Sequence, residues 1–354
     1  MLVYLDTAHL DWLEKVLLTS TVDARRFFGR WKDSGYELAV SYHHVEECAQ
    51  LASDASIKRR LAVFFEFPHL WYAQPGSGVV RAREIETQLL HLSGDAPTAD
   101  YARVRSILFQ RVKPEAIQRD IFGALAQLRK GRLIHEGAAT LDNLVRPLTD
   151  KLRTSGITPR RLKRTKCTPE MAEQWVSNAR RLDFLPPALR IFDADAVMRA
   201  ATEGVSMREA AVRFYRLTDV GADVIRVVPD SDMGELSVFF WMARQVAKEM
   251  EQARGRDAGH FSALVPKVNP YECPGFRLRL ALLRARASAP KITEPSDMVD
   301  ADHLVYAAHT DLAFVDKRTL NFLRQEARRA DVFLPETAIR HIHKSSLLDD
   351  LFQS

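Results

Sequence analysis

Four acidic residues, scattered along the chain, stand where they could together hold a hard cation. Asp6 closes the apolar run Leu2-Val3-Tyr4-Leu5, and Glu47 comes a few residues after Leu38-Ala39-Val40-Ser41. Asp316 closes Leu312-Ala313-Phe314-Val315, and Asp300 lies in the segment that leads into that run. A carboxylate at the C-terminal end of a parallel strand sits at the rim where open α/β sheets bind ligands. Carboxylates that converge there form an oxygen-rich site for Mg²⁺ or Mn²⁺, and magnesium keeps several waters, so a few ligands suffice. Such an ion generates a hydroxide nucleophile and neutralises charge on a phosphodiester, and two ions can clamp the attacking and leaving oxygens. Asp297, Asp300 and His303 recur at one-turn spacing and share a helical face. Lys317 and Arg318 follow Asp316 directly and are placed to steady a phosphate. Two positions have competing neighbours, Glu46 for Glu47 and Asp302 for Asp300. The flanking Val45 and Cys48 fit Glu47, and the Asp-x-x-His spacing fits Asp300.

The elements that must position these residues follow from apolar periodicity. Leu2 to Leu5 reads as a strand, with Thr7 capping a helix through Leu10, Leu13, Val16 and Leu17. Asp23 opens a second helix that ends near Gly35, Leu38 to Ser41 is a second strand, and Val45 to Phe67 reads as one long helix stopped by Pro68. Leu70 to Ala73 is a third strand, and the β-α-α-β-α-β order implies parallel pairing. After Pro75-Gly76-Ser77-Gly78 the pattern to about Ala289 is mostly helical, with Val224 to Val228 as its one candidate strand. From Pro295 the α/β pattern returns: a helix capped by Ser296 or Asp297, a strand at Leu312 to Val315, a helix at Leu320 to Arg329, a strand at Val332 to Leu334 and a helix at Thr337 to Lys344. The expected architecture is α/β, with about five parallel strands and the first of them central. Residues 1–95 and 291–354 would form one domain, interrupted by a helical insertion at 96–290.

Composition narrows the function classes. Hydrophobic residues make up 46% and charged residues 27%, which suits a packed core and excludes a disordered chain. No apolar stretch approaches the roughly 20 residues of a membrane span, and no N-terminal segment resembles a signal peptide. Cys48, Cys167 and Cys273 lie far apart without C-x-x-C spacing, which argues against a disulfide framework or structural zinc and fits a reducing cytoplasm. The net charge of +5 is compatible with a polyanionic partner, and its distribution says more. Lys151 to Lys166 holds no acid, and Arg160, Arg161, Lys163, Arg164 and Lys166 are its candidate phosphate contacts. Arg277, Arg279, Arg284 and Arg286 form a second basic cluster; the competing reading of either is a solvated helix face.

Taken together, Val3-Tyr4-Leu5-Asp6-Thr7, Ser41-Tyr42-His43-His44-Val45-Glu46-Glu47-Cys48, Asp297-Met298-Val299-Asp300-Ala301-Asp302-His303 and Phe314-Val315-Asp316-Lys317-Arg318 make the chain resemble the PIN-like nuclease superfamily. The family places an Asp after the first strand, a Glu in the helix after the second, an Asp at the start of a late helix and another after the following strand. Here those positions are Asp6, Glu47, Asp300 and Asp316. The resemblance covers roughly the first 95 and last 60 residues and leaves the helical middle outside it. It implies a three-layer α/β/α fold and Mg²⁺- or Mn²⁺-dependent endonuclease activity, most often on RNA. It looks most like longer bacterial members, many of them toxins or defence effectors, which implies a protein inhibitor or activator. The chain departs from the pattern at Val315, where the family often has Thr or Ser. That departure and the large insertion support a second class of function, a nucleic-acid-binding or regulatory module with a vestigial site; a third is a DNA nuclease or phosphatase that uses the same ions.

Several other signals read as structural. A haloacid-dehalogenase-type phosphatase needs a second Asp two residues after the first, and that position is Ala8. Gly76-Ser77-Gly78 lacks the third glycine of a dinucleotide loop, because that position is Arg81. His43-His44, His309, His341 and His343 have no zinc-ligand spacing. Glu84 and Glu86 read as solvated, and Phe64, Phe65, Phe67, Trp71 and Tyr72 as core.

Overall fold

The computed structural model describes residues 1–51, 53–130, 165–180, 193–220, 233–255, 257, 259–287, 296–330 and 338–340. Among them, six strands form one sheet: β1 (Leu2–Leu5), β2 (Glu37–Ser41), β3 (Leu70–Ala73), β4 (Phe109–Val112), β5 (Leu312–Phe314) and β6 (Ala338–Arg340). Their order is β4-β3-β2-β1-β5-β6, so the first strand lies inside the sheet as expected. Every neighbouring pair is parallel except β3–β4. The antiparallel β4 was not foreseen, and Ala338–Arg340 is a strand where a helix was expected. The candidate strands at 224–228 and 332–334 lie outside the described residues.

The helices are α1 (Thr7–Thr19), α2 (Thr21–Ser34), α3 (Tyr42–Ala49), α4 (Asp54–Phe65), α5 (Ser77–Leu92), α6 (Tyr101–Leu108) and α7 (Pro114–Lys130). There follow α8 (Pro169–Arg180), α9 (Ala194–Glu203), α10 (Met207–Phe214), α11 (Met233–Arg254), α12 (Pro274–Ala287), α13 (Ser296–Ala307) and α14 (Lys317–Ala330). The expected single helix over 45–67 is two. Ser53 Oγ accepts from Ser56 N and starts α4 afresh, because a short polar side chain satisfies amide groups that a helix start leaves open. Asp6, not Thr7, caps α1, its carboxylate accepting from His9 N. None of the described helices is long and apolar enough to cross a membrane.

Strand residues alternate between two cores, as a two-residue side-chain period requires. Val3, Leu5, Val40 and Phe314 pack with Leu13, Phe27, Trp31, Leu61 and Ile117. Leu2, Tyr4, Ala39 and Ala313 pack with Leu278, Leu282, Leu304, Val305 and Leu320. Phe64, Phe67 and Tyr72 are core as expected, whereas Phe65 is 44% exposed. Helix α12, from the segment read as insertion, thus shares the second sheet core with α13 and α14. A third cluster joins α5 to α11, and a fourth joins α8, α9 and α10.

Helix α12 is fixed at its start. Glu84, expected to be solvated, is fully buried and accepts from Gly275 N at 2.6 Å, Phe276 N at 3.3 Å and His309 Nε2 at 2.8 Å. A carboxylate at a helix start meets open N–H groups and the positive end of the helix dipole. A Cβ at Gly275 would lie 2.9 Å from the Val305 carbonyl oxygen, so the close approach of α12 to α13 requires glycine there. This packing sets where the arginines of α12 meet the acids of α13.

Candidate functional site at the carboxyl edge of the sheet

The ends of β1 and β5 are tied together by Asp6. Its amide donates to Phe314 O at 3.0 Å, and its Oδ2 accepts from Asp316 N at 2.7 Å. Its Oδ1 accepts from His9 N at 3.2 Å and from the His9 ring at 2.6 Å. Asp316 caps α14: Oδ1 accepts from Arg318 N and Thr319 N at 2.6 and 2.9 Å, and Oδ2 accepts from Thr319 Oγ1 at 2.7 Å. Thr319 therefore supplies a hydroxyl to Asp316 even though Val315 precedes it.

Glu47, on α3, accepts from Thr7 Oγ1 and from His303 Nε2, the latter at 3.0 Å. Asp300, on α13, accepts from Arg286 of α12 at 2.7 Å. Electrostatics join the four acids into one neighbourhood. Burial pushes the Glu47 carboxyl up, but His303 outweighs it and the group settles at about 2. Burial pushes His303 down, but Glu47, then Asp6 and Asp300, hold it above the usual histidine range. Burial raises Asp300 and nearby Asp316 adds to the rise, against the pull of Arg286.

Behind Glu47 runs a buried hydrogen-bonded chain. His44 Nε2 faces the Leu5 carbonyl oxygen at 2.9 Å, an atom that only accepts, so Nε2 carries the hydrogen. Burial, then the nearby His303, lower His44 to about 3, which keeps its ring neutral and leaves Nδ1 to accept from Ser41 N at 3.0 Å. Ser41 Oγ lies 3.1 Å from the same Nδ1 and 2.9 Å from Tyr4 Oη, and Tyr4 Oη meets His303 Nδ1. With His303 protonated on both nitrogens, every donor runs one way: His303 to Tyr4, Tyr4 to Ser41, Ser41 to His44, His44 to Leu5 O. Tyr4, Ser41 and Thr7 were not expected in this role. The alternation of the strands could have found Tyr4 and Ser41, because it puts both on one sheet face.

The competing acids point elsewhere. Glu46 accepts from His43 Nδ1 at 2.7 Å, and Asp302 pairs with Arg279, which also reaches Glu235 at 3.3 Å. His43 Nε2 lies 3.8 Å from Asp302 Oδ2. Asp297 lies in the first turn of α13. The second basic cluster is not an open phosphate-binding face. Arg279 and Arg286 are 5% and 3% exposed, and Arg284 is 3.6 Å from Glu326. Lys317 and Arg318 are exposed at the start of α14. Of the first basic cluster, Lys166 is exposed and bridges to Ser206, while Arg160, Arg161, Lys163 and Arg164 lie outside the described residues.

The donor set suits a hard divalent cation, being oxygen-rich and partly buried. The arrangement is a closed one. Arg286, His303, His9 and Thr319 each occupy a carboxylate. Among the described residues no three His, Cys, Asp or Glu side chains stand where they could share an ion. Comparison with protein-family models, with curated proteins and with solved structures found no match.

Proposed function

We propose that this chain is a cytoplasmic, Mg²⁺- or Mn²⁺-dependent endoribonuclease with a three-layer, PIN-like α/β/α fold, in which Asp6, Glu47, Asp300 and Asp316 hold the ion. The observation that carries the reading is the junction of β1 and β5, where Asp6 accepts from the Asp316 amide at 2.7 Å with Glu47 and Asp300 in electrostatic reach. A bound ion would supply Lewis-acid activation of water and of the phosphodiester. Lys317 and Arg318 would take the scissile phosphate, and Arg160, Arg161, Lys163, Arg164 and Lys166 would bind the substrate backbone. Many of the nucleases that the chain resembles act as toxins or defence effectors, and the same role, with a protein inhibitor or activator, is part of this proposal. The test is cleavage of RNA with Mn²⁺, with and without EDTA, by the wild-type chain and Asp6→Asn; equal cleavage by both proteins sinks the reading. Parallel assays on single-stranded DNA and a small phosphoester decide the substrate class.

The closed arrangement favours a second reading, a nucleic-acid-binding regulatory module whose acids are structural. It expects RNA binding in EDTA that is lost when Arg160, Arg161, Lys163 and Arg164 are neutralised, and no metal-dependent turnover.

A further inference from the structure

Helix α12 carries two arginines one heptad apart, Arg279 and Arg286, which the helical period places on one face. Both meet acids of α13, Arg279 at Asp302 and Arg286 at Asp300. The consequences differ, because Asp302 is outside the candidate ion site and Asp300 is in it. The Arg286 side chain is 2% exposed, and its guanidinium lies 2.7 Å from Asp300 Oδ2, whose side chain is 37% exposed. The same guanidinium lies 5.8 Å from the centre of the Phe322 ring on α14. Arg286 of α12 is thus held between Asp300 of α13 and the Phe322 ring of α14. A charge-assisted hydrogen bond of this kind is stronger than a neutral one and occupies a lone pair that a metal would use.

We infer that Arg286 is a built-in competitor of the divalent ion: it holds Asp300 in the absence of metal, and the ion binds only as the guanidinium gives Asp300 up. This rests on the metal site of the nuclease reading. Arg286 and His303 each meet one of the four carboxylates, Asp300 and Glu47. Binding against an occupied state lowers the apparent affinity by the fraction of molecules that are open.

Isothermal titration of the full chain with Mn²⁺ tests this, using wild type, Arg286→Gln, Arg286→Lys and Asp300→Asn, with circular dichroism reporting folding. Arg286→Gln removes the charge and is expected to bind Mn²⁺ about tenfold more tightly, which corresponds to about 1.4 kcal/mol. Arg286→Lys keeps the charge but loses the planar fork, so it is expected between the two. Asp300→Asn is expected to bind more weakly than wild type. If Arg286→Gln does not fold, Arg286→Lys decides alone: tighter binding than wild type supports the competition, and equal or weaker binding overturns it. Wild-type binding with a folded Arg286→Gln of equal or weaker affinity overturns the competition while the nuclease reading stands. If neither wild type nor the folded variants take up Mn²⁺, the nuclease reading fails and the competition falls with it.

Discussion

Neighbouring acids on two helices go to two different places. Glu47 meets Thr7 and His303 and Asp300 meets Arg286, whereas Glu46 and Asp302 meet His43 and Arg279. Consecutive helical residues diverge by about 100°, so a step of one or two positions moves a carboxylate to another face. In the first region the acids crowd around a strand junction, and their charges act on one another. Acids of both regions meet a basic side chain, and those of the first also act on one another across the strand junction. The proposed ligands and the counter-ions are the same residue type, and what separates them is the other acids around the first pair.

The contrast predicts a separation between stability and activity. The largest stability effect belongs to the second region. Arg279→Ala removes the cation shared by Asp302 and Glu235 and is expected to cost about 3–5 kcal/mol, read by urea unfolding. A loss below about 1 kcal/mol would mean that the two acids are solvated in its absence. In the first region, Asp6→Asn is expected to lower metal-dependent RNA cleavage by at least the roughly 100-fold that loss of even an outer-shell metal partner can cost. Glu46→Gln should leave the rate within about threefold, an ordinary result for an acid that only pairs on the surface; equal losses in the two variants would erase the contrast. Tyr4→Phe interrupts the buried chain between His303 and Ser41 and is expected to cost about 1–3 kcal/mol with the fold retained, measured by thermal melting.

A further effect is a pH slope. His44 is lowered to about 3 from 6.5, so the folded ring stays neutral while the unfolded one takes up a proton. Its contribution is complete above about pH 6.5 and is lost as the pH falls toward about 3. Glu47, lowered to about 2 from 4.5, is lost in the same direction but further into acid. His303 is raised, so its contribution is present below about pH 6.5 and lost as the pH rises through its folded value. Stability of wild type between pH 7 and 5 should fall more steeply than that of His44→Asn, by at most about 1.4 kcal/mol per pH unit. Parallel slopes would place the sensitivity elsewhere.

Much of this was legible from local pattern. The apolar runs at 2–5, 38–41, 70–73 and 312–315 became strands, because their spacing and their flanking helices left parallel pairing as the economical arrangement. Asp6 and Asp316 were legible as strand-end acids for the same reason. Glu84 was misread as solvated because nothing local shows that the start of a helix nearly two hundred residues later would need its carboxylate. The basic run at 277–286 was misread in part because burial of an arginine depends on acids supplied by other helices. Strand β4 was missed because Phe109–Val112 is short, lies inside helical pattern and pairs antiparallel at the sheet edge.

The sequence by itself determined the alternating strands, the helical faces and the positions along the chain where acids leave a strand or enter a helix, since these depend on side-chain period and on neighbours a few residues away. Only the tertiary structure decided that Glu47 meets His303, that Arg286 meets Asp300, and that His44 and His303 are joined through Tyr4 and Ser41. Those outcomes depend on how helices far apart in sequence pack on one sheet, and no local period encodes that.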